Sequence, residues 1–194
     1  MVRAYHVVFS CYGFWLPNDP RGSWSDFVAA WELYRVGGKA TKVETRQSLA
    51  NVPHNRRQAQ DVKGQMKLPP VTLDGLQARS VANGFAAACV KSAITLHACA
   101  ILPDHVHLVV ARHRYKIEQT VNLLKGEATK RLRADGLDPN PERVGHSPWS
   151  AGFWKVYLNS PESIWKAIKY VEANPVKDGK RPQHWSFVRA YEGD

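Results

Sequence analysis

Two short stretches carry residue types suited to phosphodiester chemistry. His105-Val106-His107 sets two imidazoles at i and i+2. In a β-strand these positions share one face, roughly 7 Å apart at their bases, so both rings can turn toward one ion. Val106, Leu108 and Val110 alternate with them as an apolar face. A His-x-His pair alone is a weak signal, since such pairs also occur on half-exposed strands without a ligand. The second stretch is Tyr170 with Asn174, at i and i+4 of a segment whose Ile164, Ala167, Ile168 and Val171 form one apolar helical side. Helical geometry puts Tyr170 and Asn174 about 40° apart on one stripe, at the margin of that side. Alone, they would read as a boundary aromatic and a helix C-cap.

Together the two stretches describe a chemistry. A tyrosine can attack a phosphodiester, but its phenol is mostly protonated at neutral pH and needs electrophilic help. A divalent cation held by His105, His107 and a third, oxygen ligand would polarise the phosphate and neutralise developing charge. Asn174 is placed to offer that oxygen. A mixed imidazole and amide set completed by water suits Mg²⁺ or Mn²⁺. Tyr157 is a rival nucleophile, although it alternates with Trp154 and Val156 as strand residues do. His6 and His97 also fall in strand-like segments, and the expectation for both is a half-buried structural histidine.

The elements that must position these groups are legible in outline. Ala4 to Tyr12 reads as a first strand, ended by Gly13. Ser23 to Pro70 is polar and weakly patterned, and reads as an insertion of loops and short helices within a single domain spanning 1–194. Leu73 to Ser92 has helical periodicity despite Gly84, and Thr95 to Leu102 and His105 to Ala111 form a hairpin around Pro103-Asp104. Tyr115 to Ala134 is an amphipathic helix that Gly136 can end, and Gly152 to Leu158 is a fourth strand. Ser160-Pro161 starts a last helix, expected to stop at Asn174-Pro175 because proline disfavours helical geometry in the residue before it. The order β-α-β-β-α-β-α predicts an α+β fold: a ferredoxin-like antiparallel sheet covered by helices, with a C-terminal helix bearing Tyr170.

Composition narrows the partner. Among 194 residues, 27 Lys and Arg against 17 Asp and Glu give a net charge of +10, while 44% hydrophobic content is that of a globular protein rather than a basic tail. Such an excess fits either a solubilising surface or a polyanion partner. Arg112 and Arg114 precede a helix carrying Lys125, Lys130, Arg131 and Arg133, a stripe that could follow a phosphate backbone. Trp15 and Trp24 could stack unpaired bases, with Arg21 nearby. Cys11, Cys89 and Cys99 lack CxxC spacing, so neither a disulfide framework nor a zinc ribbon is suggested, and a reducing cytoplasm is the expected compartment. No apolar run is long enough to span a bilayer.

The segment Pro103-Asp104-His105-Val106-His107-Leu108-Val109 resembles the His-hydrophobic-His (HUH) motif of the IS200/IS605-like Y1 transposases. Tyr170-Val171-Glu172-Ala173-Asn174-Pro175-Val176-Lys177-Asp178-Gly179 resembles the tyrosine helix of their REP-associated branch, and Tyr12 to Gly22, Leu124-Lys125-Gly126 and Trp185-Ser186-Phe187 add further similarity. The resemblance implies a single-tyrosine endonuclease and strand transferase acting on single-stranded or hairpin DNA; the sequence leaves monomer and homodimer both open. Tyr170 would form a 5′-phosphotyrosine link, His105 and His107 would hold the metal, and Asn174 matches the position of the third ligand. Asp104 stands where many relatives carry Asn, and receives no role beyond the turn.

Overall fold

The computed structural model describes residues 1–23, 25–43, 49, 52–142 and 145–193. In chain order the elements are β1 (Ala4–Ser10), α1 (Trp31–Gly37), α2 (Arg56–Lys63), α3 (Gly75–Ser92), β2 (Leu96–Ile101), β3 (His105–Ala111), α4 (Ile117–Ala134), β4 (Trp154–Leu158) and α5 (Pro161–Lys177). They fall into two compact units. One comprises Met1–Cys11 with Thr72–Asp194, and the other is Tyr12–Val71, which contains the short helices α1 and α2.

The first unit is built on a four-stranded sheet in the order β2-β3-β1-β4, antiparallel throughout. This is the expected α+β arrangement. Strand alternation gives each face its own helices. Val7 and Phe9 of β1, with Val106, Leu108 and Val110 of β3, are buried on the α3/α4 face, where Phe9 meets Phe85 of α3 edge to face at 6.3 Å. The other face packs Ala4, Ala98, Ala100 and Val109 against Ile164, Ala167, Ile168 and Val171 of α5. His105 and His107 belong to this second face, so their strand turns them toward α5.

Local signals fix the helices. Asp74 caps α3 by accepting from the Gln77 amide at 2.8 Å, while the Gln77 side chain accepts from the Asp74 amide at 2.9 Å. Ser160 caps α5, and Pro161 occupies its first turn. Contrary to the expectation from Asn174-Pro175, α5 continues through Pro175 to Lys177. Pro175 sits in the last turn and is buried, so little of the hydrogen-bond ladder remains for it to interrupt. The amides of Asp178 and Lys180 still reach the carbonyls of Asn174 and Pro175 at 3.0 and 2.8 Å, and Gly179, at φ 68°, makes the left-handed stop. Asn174 is therefore an internal helix residue, not the C-cap. Among the described residues, no helix is long and apolar enough to cross a membrane.

Candidate active site

The pairing of β1 with β3 assembles the site. Ser10 lies opposite His105 and Val8 opposite His107, so His6, Val8 and Ser10 share the histidine face. Because the core face of α5 lies on this side of the sheet, Tyr170 at the margin of that face reaches the imidazoles. Its ring centroid is 5.7 Å from that of His107 and 5.5 Å from that of His6, edge-on at 71° and 67°. This contact forms within one chain. Tyr170 keeps 40% of its surface exposed, and the Lys177 ammonium lies 4.8 Å from its ring centroid. Asn174 donates from Nδ2 to the Tyr170 carbonyl at 2.7 Å, which leaves Oδ1 as its remaining ligand atom.

Two residues contribute more than their sequence positions suggested. His6, expected to be merely structural, brings Nε2 to 3.3 Å from Nδ1 of His107. Burial lowers the His6 pKa to about 4. Burial, reinforced by the neighbouring His105 and His6, lowers that of His107 to about 2. Both imidazoles are therefore neutral at physiological pH, the form with a lone pair to offer. Asp104 is more than a turn residue, since its Oδ1 accepts from His105 Nδ1 at 2.6 Å. Among the described residues no group of three or more His, Cys, Asp and Glu side chains is arranged to hold a metal. A cation at His105 and His107 would need its remaining ligands from an amide oxygen such as Asn174 Oδ1, from water or from substrate. That donor set fits a hard, hydrated ion better than a closed zinc site.

The family model described as IS200-like transposase matches residues 71–174, a span that contains His105, His107, Tyr170 and Asn174. The chain belongs to the IS200-like transposase family. No curated protein matches the sequence. The solved structures similar to it include two transposases. One is a REP-associated tyrosine transposase bound to a REP hairpin, with TM-score 0.47 and 12% identity over 91% of this chain and 68% of that one. The other is a protein assigned as a transposase from Deinococcus radiodurans R1, with TM-score 0.44 and 14% identity over 89% of this chain and 90% of that one.

The structure sorts the remaining candidates of this IS200-like transposase. Tyr157 pairs with Tyr5 on the face opposite His6, which removes it as a rival to Tyr170. His97 is tied to the Arg189 carbonyl at 3.0 Å. Lys125 does not join a surface stripe: it is buried, with its ammonium donating to the carbonyls of Ser150 and Gly152 at 2.8 and 3.0 Å. Lys130, Arg131 and Arg133 are exposed, but α4 lies on the Phe9 side of the sheet, away from the histidine face. They pair with Glu127, Asp135 and Asp138 respectively. Arg112 and Arg114 are exposed just past the end of β3, with Arg114 against the Tyr115 ring. In the second unit the Arg21 guanidinium lies 3.8 Å from the Trp15 ring centroid and is paired with Asp19 at 2.7 Å. One face of Trp15 is thus already covered. Trp24 lies outside the described residues.

Proposed function

We propose that this transposase is a metal-dependent, single-tyrosine endonuclease and strand transferase acting on single-stranded DNA, in the manner its motif resemblance implies. The observation that carries the reading is the approach of the Tyr170 ring to His107 within one chain, two motifs 63 positions apart in sequence (107 to 170) meeting on one sheet face. His105, His107 and Asn174 Oδ1 would hold Mg²⁺ or Mn²⁺, which when bound would polarise the scissile phosphate and offset its developing charge. Tyr170 loses its phenolic proton and attacks phosphorus. The bond from phosphorus to the 3′-oxygen breaks, that oxygen takes up a proton, and the DNA 5′-phosphate stays esterified to Tyr170. In the reverse sense, a 3′-hydroxyl of another end attacks the phosphotyrosine and restores the phenol.

The partly exposed Tyr170 suits a strand that must reach it from solvent, and the Lys177 ammonium beside its ring favours phosphate there. Hairpin DNA is the substrate form that the resemblance of the tyrosine helix implies, and a REP hairpin is what the similar REP-associated transposase was bound to. Incubation of the protein with a labelled hairpin carrying single-stranded flanks and Mn²⁺ should yield a covalent adduct that resists denaturation. Tyr170→Phe should abolish it, and His107→Ala should lower it by at least 100-fold. Cleavage surviving Tyr170→Phe but lost with His107→Ala would instead indicate a water-using phosphoesterase. Hairpin binding without cleavage by the wild type would indicate a non-cleaving DNA binder.

A further inference from the structure

His6 lies on β1, outside the residues matched by the family model, yet its geometry bears on the site. The His6 and His107 rings are 18° from coplanar, with centroids 5.6 Å apart and Nε2 and Nδ1 only 3.3 Å apart. The centroid separation exceeds the nitrogen separation by about the two ring radii, the most it can. The two nitrogens must therefore lie on the line joining the centroids, in a head-on in-plane hydrogen bond rather than a face stack. Around an imidazole, Nε2 is two ring positions from Nδ1, so His107 Nε2 points away from His6. His6 is itself held in place, 8% exposed, with Trp154 edge-on at 5.4 Å and Tyr170 at 5.5 Å.

A neutral imidazole carries one proton, and its position decides which nitrogen can ligate a metal. If His6 donated to His107 Nδ1, the His107 proton would sit on Nε2 and block it. If His107 donates from Nδ1, Nε2 keeps its lone pair on the side facing away from His6. We infer that His6 is a positioning residue whose Nε2 accepts the Nδ1 proton of His107, fixing the tautomer that presents His107 Nε2 to a divalent cation. Partners of this kind orient the ligand ring and raise its basicity. The inference rests on the reading that His107 is a metal ligand. It adds a residue from a strand that neither motif includes.

The test uses the full chain, labelled with ¹⁵N-histidine. Without metal at pH 7.5, wild-type His107 should show a protonated Nδ1 and a pyridine-like Nε2. In His6→Leu, which keeps bulk and removes the acceptor, the proton should move largely to Nε2, the preference of imidazole in water. Mn²⁺ affinity, read from the free-ion paramagnetic resonance signal, should fall 10- to 100-fold in His6→Leu. It should stay within a few-fold of wild type in His6→Gln, whose amide oxygen can accept the same proton. A proton found on Nε2 of wild-type His107 would overturn the inference, and needs no variant to fold. Equal weakening by Leu and Gln would also overturn it, reducing His6 to a packing role. Mn²⁺ affinity unaltered by His107→Ala would overturn the metal reading, leaving the wild-type tautomer to decide the His6 contact by itself.

Discussion

Burial makes the His6–His107 pair a source of acid sensitivity beside the proposed metal site. Both pKa values are lowered, to about 4 and about 2, from the ordinary imidazole value of 6.5. The unfolded chain therefore takes up protons at these positions below pH 6.5 while the folded chain still refuses them. Their contribution to stability is complete above that pH and is lost as pH falls toward the folded values, by on the order of 3 kcal/mol from His6 alone. Urea unfolding midpoints should drop between pH 7 and pH 4.5, and His6→Leu should flatten that slope. Lys125 calls for a different test, because its ammonium closes on two backbone carbonyls inside the protein. Lys125→Ala should cost about 2 to 4 kcal/mol in unfolding free energy through lost packing and unpaired carbonyls. It should leave the salt dependence of DNA binding unchanged, as a surface phosphate contact would not.

At the level of elements, the packing of α3 on α4 turns on Gly84. Read from sequence, Gly84 only weakens a helix; in the fold, a Cβ there would lie 2.5 Å from Ala128 Cα and 2.8 Å from the Glu127 carbonyl oxygen, both backbone atoms. Gly84→Ala should gain about 1 kcal/mol of helix propensity and lose more by forcing the helices apart, for a net destabilisation of about 1 to 3 kcal/mol in chemical denaturation. A rise in stability would contradict the close approach. The same distinction separates what was legible in the sequence from what was not. Periodicity and caps delimit α3, α4 and α5 because they depend on neighbours within a few positions, and the alternation of Val106, Leu108 and Val110 marks the histidine face for the same reason. The β1–β3 register is nonlocal. Only pairing Val8 with His107 places His6 beside it, so a histidine 101 positions away looked structural. Pro175 shows the converse, a local stop signal overridden by burial of the last turn.

At the scale of the whole molecule, a net charge of +10 says that a polyanion would be attracted but not where it lies. The fold divides the cations. Lys130, Arg131 and Arg133 lie on the α4 side of the sheet, each engaged with a carboxylate. Lys166 and Lys177 are exposed on α5 four residues before and seven after Tyr170, positions that share its side of a 3.6-residue helix. A DNA strand whose phosphate meets Tyr170 should therefore release counterions along α5. The fall in hairpin affinity with salt should be shallower by about 1 to 2 in log–log slope for the double variant K166Q/K177Q, each lysine accounting for roughly 0.7 to 0.9. The double variant R131Q/R133Q removes the same charge, so a nonspecific net-charge effect would flatten both slopes alike. A path over α5 predicts a large change in the first and almost none in the second. The opposite ranking would route the strand over α4, on the far side of the sheet from Tyr170, and would separate the site of binding from the proposed site of chemistry.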